Sequence, residues 1–276
     1  MPLTLKSQVT RVLYMLDSGE WRRAASIACR ILASYPLCIL AYSLTARAYL
    51  GLGELDTAEY LFERILSADP EDADAYMGLG MIHQTQGSYR VALDYLLRAY
   101  ELAPGNLQVR QALGDVCHAP FGTVPDAFPM SRAGLARTFL RGKLLEQALD
   151  ELGLLVQQQP QRTDLLVALC EAYWLNQQYV QAATTAQQVL DILPFCLKAN
   201  LILGQIWLGS KREDDARFCL ERAQALDPEN RWAQVVLGSY SSLPLRVANL
   251  NWDDYGVEEP EQEYLKKIDG EELLPE

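Results

Sequence analysis

Few residues in this chain have the type and spacing that catalysis requires. His83 lies among apolar residues at helical spacing, and His118 closes an apolar stretch, so both are interpreted as structural. The adjacent acids Asp214 and Asp215 stand at the start of an apolar helical pattern, where they would favour the positive end of the helix dipole. We find no phosphate-binding glycine loop, no H-E-x-x-H motif and no nucleophile elbow. The sequence therefore predicts a protein that is not an enzyme, has no catalytic residues and needs no cofactor.

The cysteines give no sign of a metal centre either. They occupy positions 29, 38, 117, 170, 196 and 219. None forms a C-x-x-C pair, and most fall on apolar helical faces. With two histidines in the whole chain, zinc chemistry is not expected. The pattern predicts no metal site and favours buried free thiols in a reducing cytoplasm.

The stretch Ala73–Asn106 shows the structural unit around which the rest of the chain is organised. Its first half places Tyr76, Leu79, Gly80 and His83 on one helical face. Gly87 interrupts the pattern, a second apolar stripe follows, and Pro104 ends it. Small side chains at Gly80 and Ala92 would let two antiparallel helices approach closely. The stretch predicts a helical hairpin that needs further copies to bury its outer faces.

Those copies are marked by two independent series. The small residue of the second helix recurs at Ala24, Ala58, Ala92, Ala148, Ala182 and Ala216. The closing proline recurs at Pro36, Pro70, Pro104, Pro160, Pro194 and Pro228. Both series have intervals of 34, 34, 56, 34 and 34 residues, which indicates six repeats with an insertion after the third.

A period of 34 with this pattern resembles the tetratricopeptide-repeat (TPR) family over about residues 5–230. The small position of the first helix is kept at Ala46, Gly80, Ala136, Cys170 and Gly204. The large position three residues later holds Tyr49, His83, Phe139, Tyr173 and Trp207. The first repeat departs from the pattern at Arg11 and Val12, and no repeat keeps the signature Trp. The resemblance implies an all-α fold, a right-handed TPR superhelix (α-solenoid) of six helical hairpins.

The repeat phase divides the chain into five parts. We predict repeats 1–3 in 5–106, an inserted half repeat and loop in 107–129, repeats 4–6 in 130–230, a capping helix in 231–243 and an acidic, disordered tail in 244–276. The loop of the insertion is interpreted as structural, with Phe121, Val124 and Phe128 covering a gap in the stack. A partner-binding loop is the alternative. The pattern does not say whether the insertion bends the superhelix.

Charge and hydropathy restrict the class of partner. The net charge is −12, and Asn251–Glu276 contributes −8 of it. An acidic chain is not expected to bind nucleic acid or an anionic membrane. We find no apolar run long enough for a membrane span and no signal peptide at the start, so a cytoplasmic location is expected.

The family resemblance implies a concave groove, lined by the first helices, that holds a partner peptide or helix. By repeat phase the predicted partner-binding residues are Ser43, Arg47, Met77, Met81, Arg137, Arg141, Val167, Glu171, Trp174, Leu201 and Gln205. Val9 and Leu13 stand at the same phase of the first repeat, where the chaperone-binding branch of the family needs Lys and Asn. A carboxylate clamp is therefore not predicted. The arginines favour an amphipathic helix or an apolar peptide with acidic flanks.

The most favoured function is a non-catalytic scaffold or adaptor that binds another protein in this groove. The alternative is a self-assembling or regulatory subunit that uses its end repeats or its acidic tail. A further hypothesis places the tail, with Trp252, Tyr255 and Tyr264, in the groove of its own or a neighbouring molecule.

Overall fold

A computed structural model describes residues 3–121 and 128–251, apart from the side chains of 119–121. Fourteen α-helices follow one another in these parts of the chain. The first seven are α1 (Leu5–Asp17), α2 (Trp21–Ser34), α3 (Ile39–Leu52), α4 (Leu55–Ala68), α5 (Ala73–Thr85), α6 (Tyr89–Leu102) and α7 (Leu107–Phe121). The other seven are α8 (Arg132–Arg141), α9 (Leu145–Gln158), α10 (Thr163–Leu175), α11 (Tyr179–Ile192), α12 (Leu197–Gly209), α13 (Glu213–Leu226) and α14 (Arg231–Leu237). The fold is an all-α solenoid, as the sequence predicts.

Helices pair in the predicted phase because small residues stand where they cross. All six alanines of the recurring series have 0% exposure. A Cβ atom added at Gly80 would lie 2.6 Å from Leu96 Cγ and 3.3 Å from the carbonyl oxygen of Ala92. The first approach would require the Leu96 side chain to shift and the second is tight, so α5 and α6 meet closely, as the pattern requires.

The chain does not continue in one direction but folds back at the insertion. We call α1–α7 the N-terminal array and α8–α14 the C-terminal array. α6 packs against both α7 and α8, so α8 starts a second stack beside the first. Glu101 at the end of α6 pairs with Arg162 before α10, and Glu71 before α5 pairs with Lys198 in α12. A later residue of the N-terminal array thus pairs with an earlier residue of the C-terminal array, so the two arrays run antiparallel.

The two ends of the chain meet and close this arrangement. Leu3–Thr4 forms strand β1, which pairs antiparallel with β2, Asn249–Leu250. The N–H of Leu5 donates to the carbonyl of Ala248 at 2.8 Å. A main core of buried residues includes side chains from both arrays and from this closure, so the arrays share one interior.

The expectation that the whole of 244–276 is a disordered tail is wrong for its first residues. Ala248 and Leu250 are buried, and Asn230 Nδ2 donates to the carbonyl of Pro244 at 2.8 Å. The side chains of Ala248 and Leu250 fill the space between the last helices and α1, although acidic residues dominate the composition of 244–276 as a whole. We call residues 241–251 the C-terminal strap. Residues 252–276, including the aromatic anchors proposed for the tail, lie outside the described residues.

The capping helix is shorter than predicted. α14 is followed by a 3₁₀ turn, Gly238–Tyr240, rather than by helix as far as 243. Ala233, Val236 and Leu237 are buried against the last repeat.

Within the insertion, the predicted first helix is present as α7. Phe128 packs on Tyr100, whose hydroxyl donates to the Phe128 carbonyl at 3.1 Å. Val124 lies outside the described residues, and so does most of the loop. The insertion therefore supplies one helix to the N-terminal array and then starts the C-terminal array beside α6.

Candidate protein-binding groove

A groove of about 760 Å³ opens on the N-terminal array, across the first helices α1, α3, α5 and α7. Its apolar lining comprises Leu16, Trp21, Leu50, Leu55, Phe62, Met77, Met81 and Ala112. Met81 is 39% exposed within it, which is high for a large apolar side chain. Concave apolar surface of this kind is what protein-binding sites offer to a partner.

Two glycines let aromatic rings from the second helices form the floor of the groove. A Cβ atom at Gly51 would overlap the Trp21 ring, and one at Gly78 would overlap the Phe62 ring. Trp21 begins α2 and Phe62 lies in α4, so both rings reach between first helices. The floor is therefore aromatic and closely packed, while the rim carries flexible methionines.

The charges of the groove are mainly acidic. Asp17, Asp74 and Asp115 line it, and Arg47 is the one cation that lines it among the described residues. The three carboxylates are exposed and form no ion pair within the described parts of the chain. Because Asp17 lies on α1 and Asp115 on α7, negative charge stands at both outer edges.

The structure brings together three of the predicted binding residues, namely Arg47, Met77 and Met81. Ser43 is half-buried one turn earlier on α3, outside the groove lining. Trp21, Asp17 and Asp74 were not predicted, because they lie outside the single helical phase used to select candidates. Asp115 stands 34 residues after Met81, at the same phase, but it lies on the half repeat, from which no candidates were selected. The glycines at 51 and 78 carry the signal that could have indicated rings on the floor.

Arg137, Arg141 and Glu171 lie elsewhere, in a cavity of about 200 Å³ where the two arrays meet. We call this cavity, with Glu71 and Lys198, the charged seam. Arg137 is 4% exposed; its Nη2 donates to Asp164 at 2.6 Å and its Nε to Glu71 at 3.2 Å. The expectation that Arg137 is a surface contact is therefore wrong, since its guanidinium is buried and paired with carboxylates of the protein itself.

Burial and pairing set the protonation of the charged seam. Burial alone would raise the pKa of Glu71, but Lys198 and Arg137 hold it below its ordinary value. Burial alone would lower the pKa of Lys198, but Glu71 and Glu171 hold it above its ordinary value. Lys198 Nζ is 2.7 Å from both carboxylates. Glu71 and Lys198 are thus both favoured in their charged forms within the charged seam.

Val167, Leu201 and Trp174 are buried at 1%, 1% and 7% exposure, so they too are unavailable to a partner. Because the chain folds back, this face of the first helices in the C-terminal array is buried inside the protein. The remaining face of the C-terminal array is covered by its own chain: the Tyr240 ring packs edge-on against Trp174 at 6.2 Å, and the backbone N–H of Ser242 donates to Gln205 Oε1 at 3.1 Å. Of the two arrays, the N-terminal one presents the open groove.

Other kinds of site find little support in the described residues. No group of three or more His, Cys, Asp or Glu side chains within them could hold a metal ion. The six cysteines are buried thiols, and burial raises the pKa of Cys38 and of Cys196 to about 12. None of the helices in these parts of the chain has the length and apolar character to cross a bilayer.

Comparison with known proteins agrees with the helix pairing. Residues 10–71 and 43–106 match the family model described as tetratricopeptide repeat. The TPR repeat-containing protein YpiA of Bacillus subtilis is 26% identical over 210 residues, covering 71% of this chain and 48% of that protein. The CTR9 homolog of Arabidopsis thaliana is 32% identical over 84 residues, covering 30% of this chain and 8% of that protein. The chain thus spans less than half the length of either relative.

Among solved structures, PilF of Pseudomonas aeruginosa is 17% identical, and the match covers 81% of this chain and 91% of the PilF chain, with a TM-score of 0.37. The family match to repeats 1–3 coincides with α1–α6, and the same alanine and proline series continues through α8–α13. The repeats in residues 10–106 therefore belong to the tetratricopeptide-repeat family.

Proposed function

We propose that this protein is a non-catalytic scaffold or adaptor that holds a peptide or helix of a partner protein in the groove of the N-terminal array. TPR proteins generally mediate protein–protein interactions, and the groove gives this chain a place to do so. The observation that carries the proposal is the open apolar lining around Met77 and Met81, beside Arg47. Side chains at the equivalent phase in the C-terminal array are buried or covered by the chain itself.

The proposal assigns a separate task to each array. The N-terminal array binds the partner, with Trp21, Leu50 and Met77 as apolar contacts and Arg47 as a polar one. The C-terminal array supports it through the charged seam, and the C-terminal strap does so through the pairing of β2 with β1. A cytoplasmic location goes with this proposal, because the buried thiols suit a reducing compartment.

The test is site-specific photocrosslinking from position 81 in the full chain, with position 154 as the matched control. Leu154 lies on α9 and is 46% exposed, close to the 39% of Met81, but it is outside the groove. A protein captured from position 81 alone is then purified and titrated by calorimetry. Met81→Glu should weaken its binding about tenfold or more, since a charge would be buried against the partner, whereas Leu154→Glu should not. Equal binding by the Met81→Glu variant would reject the groove as the site.

Self-assembly remains the second candidate because α14 leaves apolar surface at the end of the C-terminal array. Val235 is 73% exposed there and Trp232 38%. If this end mediates assembly, Val235→Glu should lower the sedimentation coefficient of the wild-type oligomer to that of a monomer. A wild-type chain that sediments as a monomer at tens of micromolar would exclude this function.

A further inference from the structure

The charges around the groove favour a particular class of partner segment. Starting from the proposed function, on which this step rests, we infer that the occupant is an apolar helix with Lys or Arg at both ends. The sequence alone favoured acidic flanks, on the premise that Arg47, Arg137 and Arg141 share one groove. The structure removes that premise, because Arg137 and Arg141 line the charged seam instead.

The distribution of charge along the groove carries the inference. The groove crosses four first helices in the order α1, α3, α5, α7. Asp17 and Asp115 stand on the two outermost helices, whereas Met77 and Met81 lie on α5 between them. A ligand that lies across the helices would place its centre on apolar side chains and each of its ends beside a carboxylate. Asp74, at the start of α5, adds a third negative charge at the side.

The length of the groove sets the length of the occupant. Packed helices lie about 8–10 Å apart, so four of them span about 24–30 Å between the outer axes. An α-helix rises about 1.5 Å per residue, so about 16–20 residues cover that span. The expected segment is therefore a helix of about five turns, with Leu, Met or aromatic side chains on one face and basic residues in its first and last turns.

The carboxylates are also available to such a ligand. Asp17, Asp74 and Asp115 are exposed and have no ion-pair partner among the described residues, unlike the paired acids of the charged seam. Arg47, at the centre, would suit a backbone carbonyl or a polar side chain of the ligand. The same charge pattern disfavours the acidic segment 252–276 as an occupant, since like charges would meet at both ends of the groove.

The inference is tested by selecting binders to the full chain from a display library of random 18-residue helices. Selected peptides are sorted by whether Met81→Glu abolishes their binding, which separates groove binders from others. Groove binders are expected to be enriched in Lys and Arg within their first and last turns. Groove binders with neutral or acidic ends would overturn the inference and leave the proposed function standing. If no selected peptide depends on Met81, the proposed function itself is overturned.

A charge-reversal experiment then uses the best groove binder. Asp17→Lys/Asp115→Lys should weaken the basic-ended peptide about tenfold or more, and should strengthen a version of the same peptide with glutamates at its ends. The matched control is Glu146→Lys/Asp150→Lys on α9, two exposed acids outside the groove, which should leave both affinities unchanged. Equal losses in the two double variants would show a general charge effect and contradict the inference.

Discussion

The ammonium nitrogen of Lys198 lies 2.7 Å from Oε2 of Glu71, although 127 residues separate them in the chain. The other oxygen of the same carboxylate, Oε1, accepts a hydrogen bond from Arg137 Nε at 3.2 Å. One side chain in the turn before α5 thus holds two cations of the C-terminal array. Such pairs join the two arrays.

Replacing Glu71 by Gln should therefore destabilise the protein. Lys198 and Arg137 would each lose a charged partner in a nearly buried site, and uncompensated buried charge is costly. Because Gln keeps one acceptor, we expect the free energy of unfolding to fall by about 2–4 kcal/mol. Urea denaturation followed by circular dichroism measures the change.

The control is Asp214→Asn, since Asp214 pairs with Arg217 on the surface at 93% and 68% side-chain exposure. That variant should unfold at the wild-type urea concentration, because exposed ion pairs contribute little. A Glu71→Gln protein as stable as the wild type would show that the charged seam does not hold the arrays together.

The C-terminal strap makes a second prediction. Leu250 is 4% exposed in β2, so Leu250→Asp would bury a carboxylate without a partner and should cost about 3 kcal/mol or more. Val247 is 66% exposed in the same strap, and Val247→Asp should cost far less. Hydrogen exchange gives a local readout, because the Leu5 amide donates to the Ala248 carbonyl. Unchanged protection of the Leu5 amide in Leu250→Asp would contradict the closure.

The turns within the hairpins support a stabilising substitution. In the first three repeats the left-handed turn residue is glycine, but in the last three it is Lys143, Gln177 and Lys211, with φ of 56°, 58° and 62°. A side chain in this conformation is strained by about 1 kcal/mol, and glycine is not. Gln177→Gly should therefore raise the free energy of unfolding by about 0.5 kcal/mol, after the greater entropy of the unfolded chain is deducted.

The same substitution elsewhere should have the opposite sign. Gln188 is an exposed residue inside α11, and Gln188→Gly should cost about 1 kcal/mol through lost helix propensity. Thermal denaturation of both variants and the wild type measures the two changes in stability. If Gln177→Gly melts below the wild type, the turn strain is not relieved as expected.

The sequence predicted the helix pairs well because small residues and prolines act locally, within one repeat or between neighbours. It did not predict the surroundings of each helix face. Met81, Arg137 and Glu171 share one phase of the repeat, yet Met81 lines the groove while the other two lie in the charged seam. Repeat phase gives the direction of a side chain, but only the path of the whole chain decides what lies opposite it.

The sequence did not predict the C-terminal strap, for a different reason. β1 and β2 have two residues each, which is too short for any periodicity to be read. Their pairing joins the two ends of the described chain, so no local pattern could indicate it.

Asp72 gives a prediction on pH. It is the N-cap of α5, and its Oδ1 accepts a hydrogen bond from the Ala75 amide at 2.7 Å. Burial, with a contribution from the Asp69 carboxyl, raises the pKa of Asp72 from 3.8 to about 7. The folded protein then holds this proton more tightly than the unfolded chain, so its stability falls as pH rises from about 4 to about 7.

Asp72→Asn removes this titration and keeps a good N-cap. The stability of the variant relative to the wild type should therefore increase between pH 5 and pH 8, by about 2–3 kcal/mol. Urea denaturation of both proteins at each pH measures the difference, and groups common to both cancel. A difference that stays constant with pH would show that Asp72 ionises at its ordinary pKa.

The floor of the groove gives the last prediction. Gly78 faces the ring of Phe62, which is 2% exposed, and an added Cβ would overlap that ring. Gly78→Ala must either move the ring up toward Met77 or push α4 away from α5. Overpacking of this kind costs about 1–3 kcal/mol, and a raised ring would also fill part of the groove. The variant should lose both stability and affinity for a groove-binding peptide, as measured by thermal denaturation and fluorescence anisotropy.

Two further variants separate this cause from a general effect of alanine. At Gly153 in α9 an added Cβ meets nothing within 4 Å, so Gly153→Ala should stabilise the protein by up to about 1 kcal/mol and leave peptide affinity unchanged. Phe62→Leu combined with Gly78→Ala makes room for the new methyl group and should recover part of the lost stability. Because leucine does not restore the aromatic floor, affinity should stay low. Full affinity in Gly78→Ala alone would mean that the ligand does not contact the floor that Gly78 and Phe62 form.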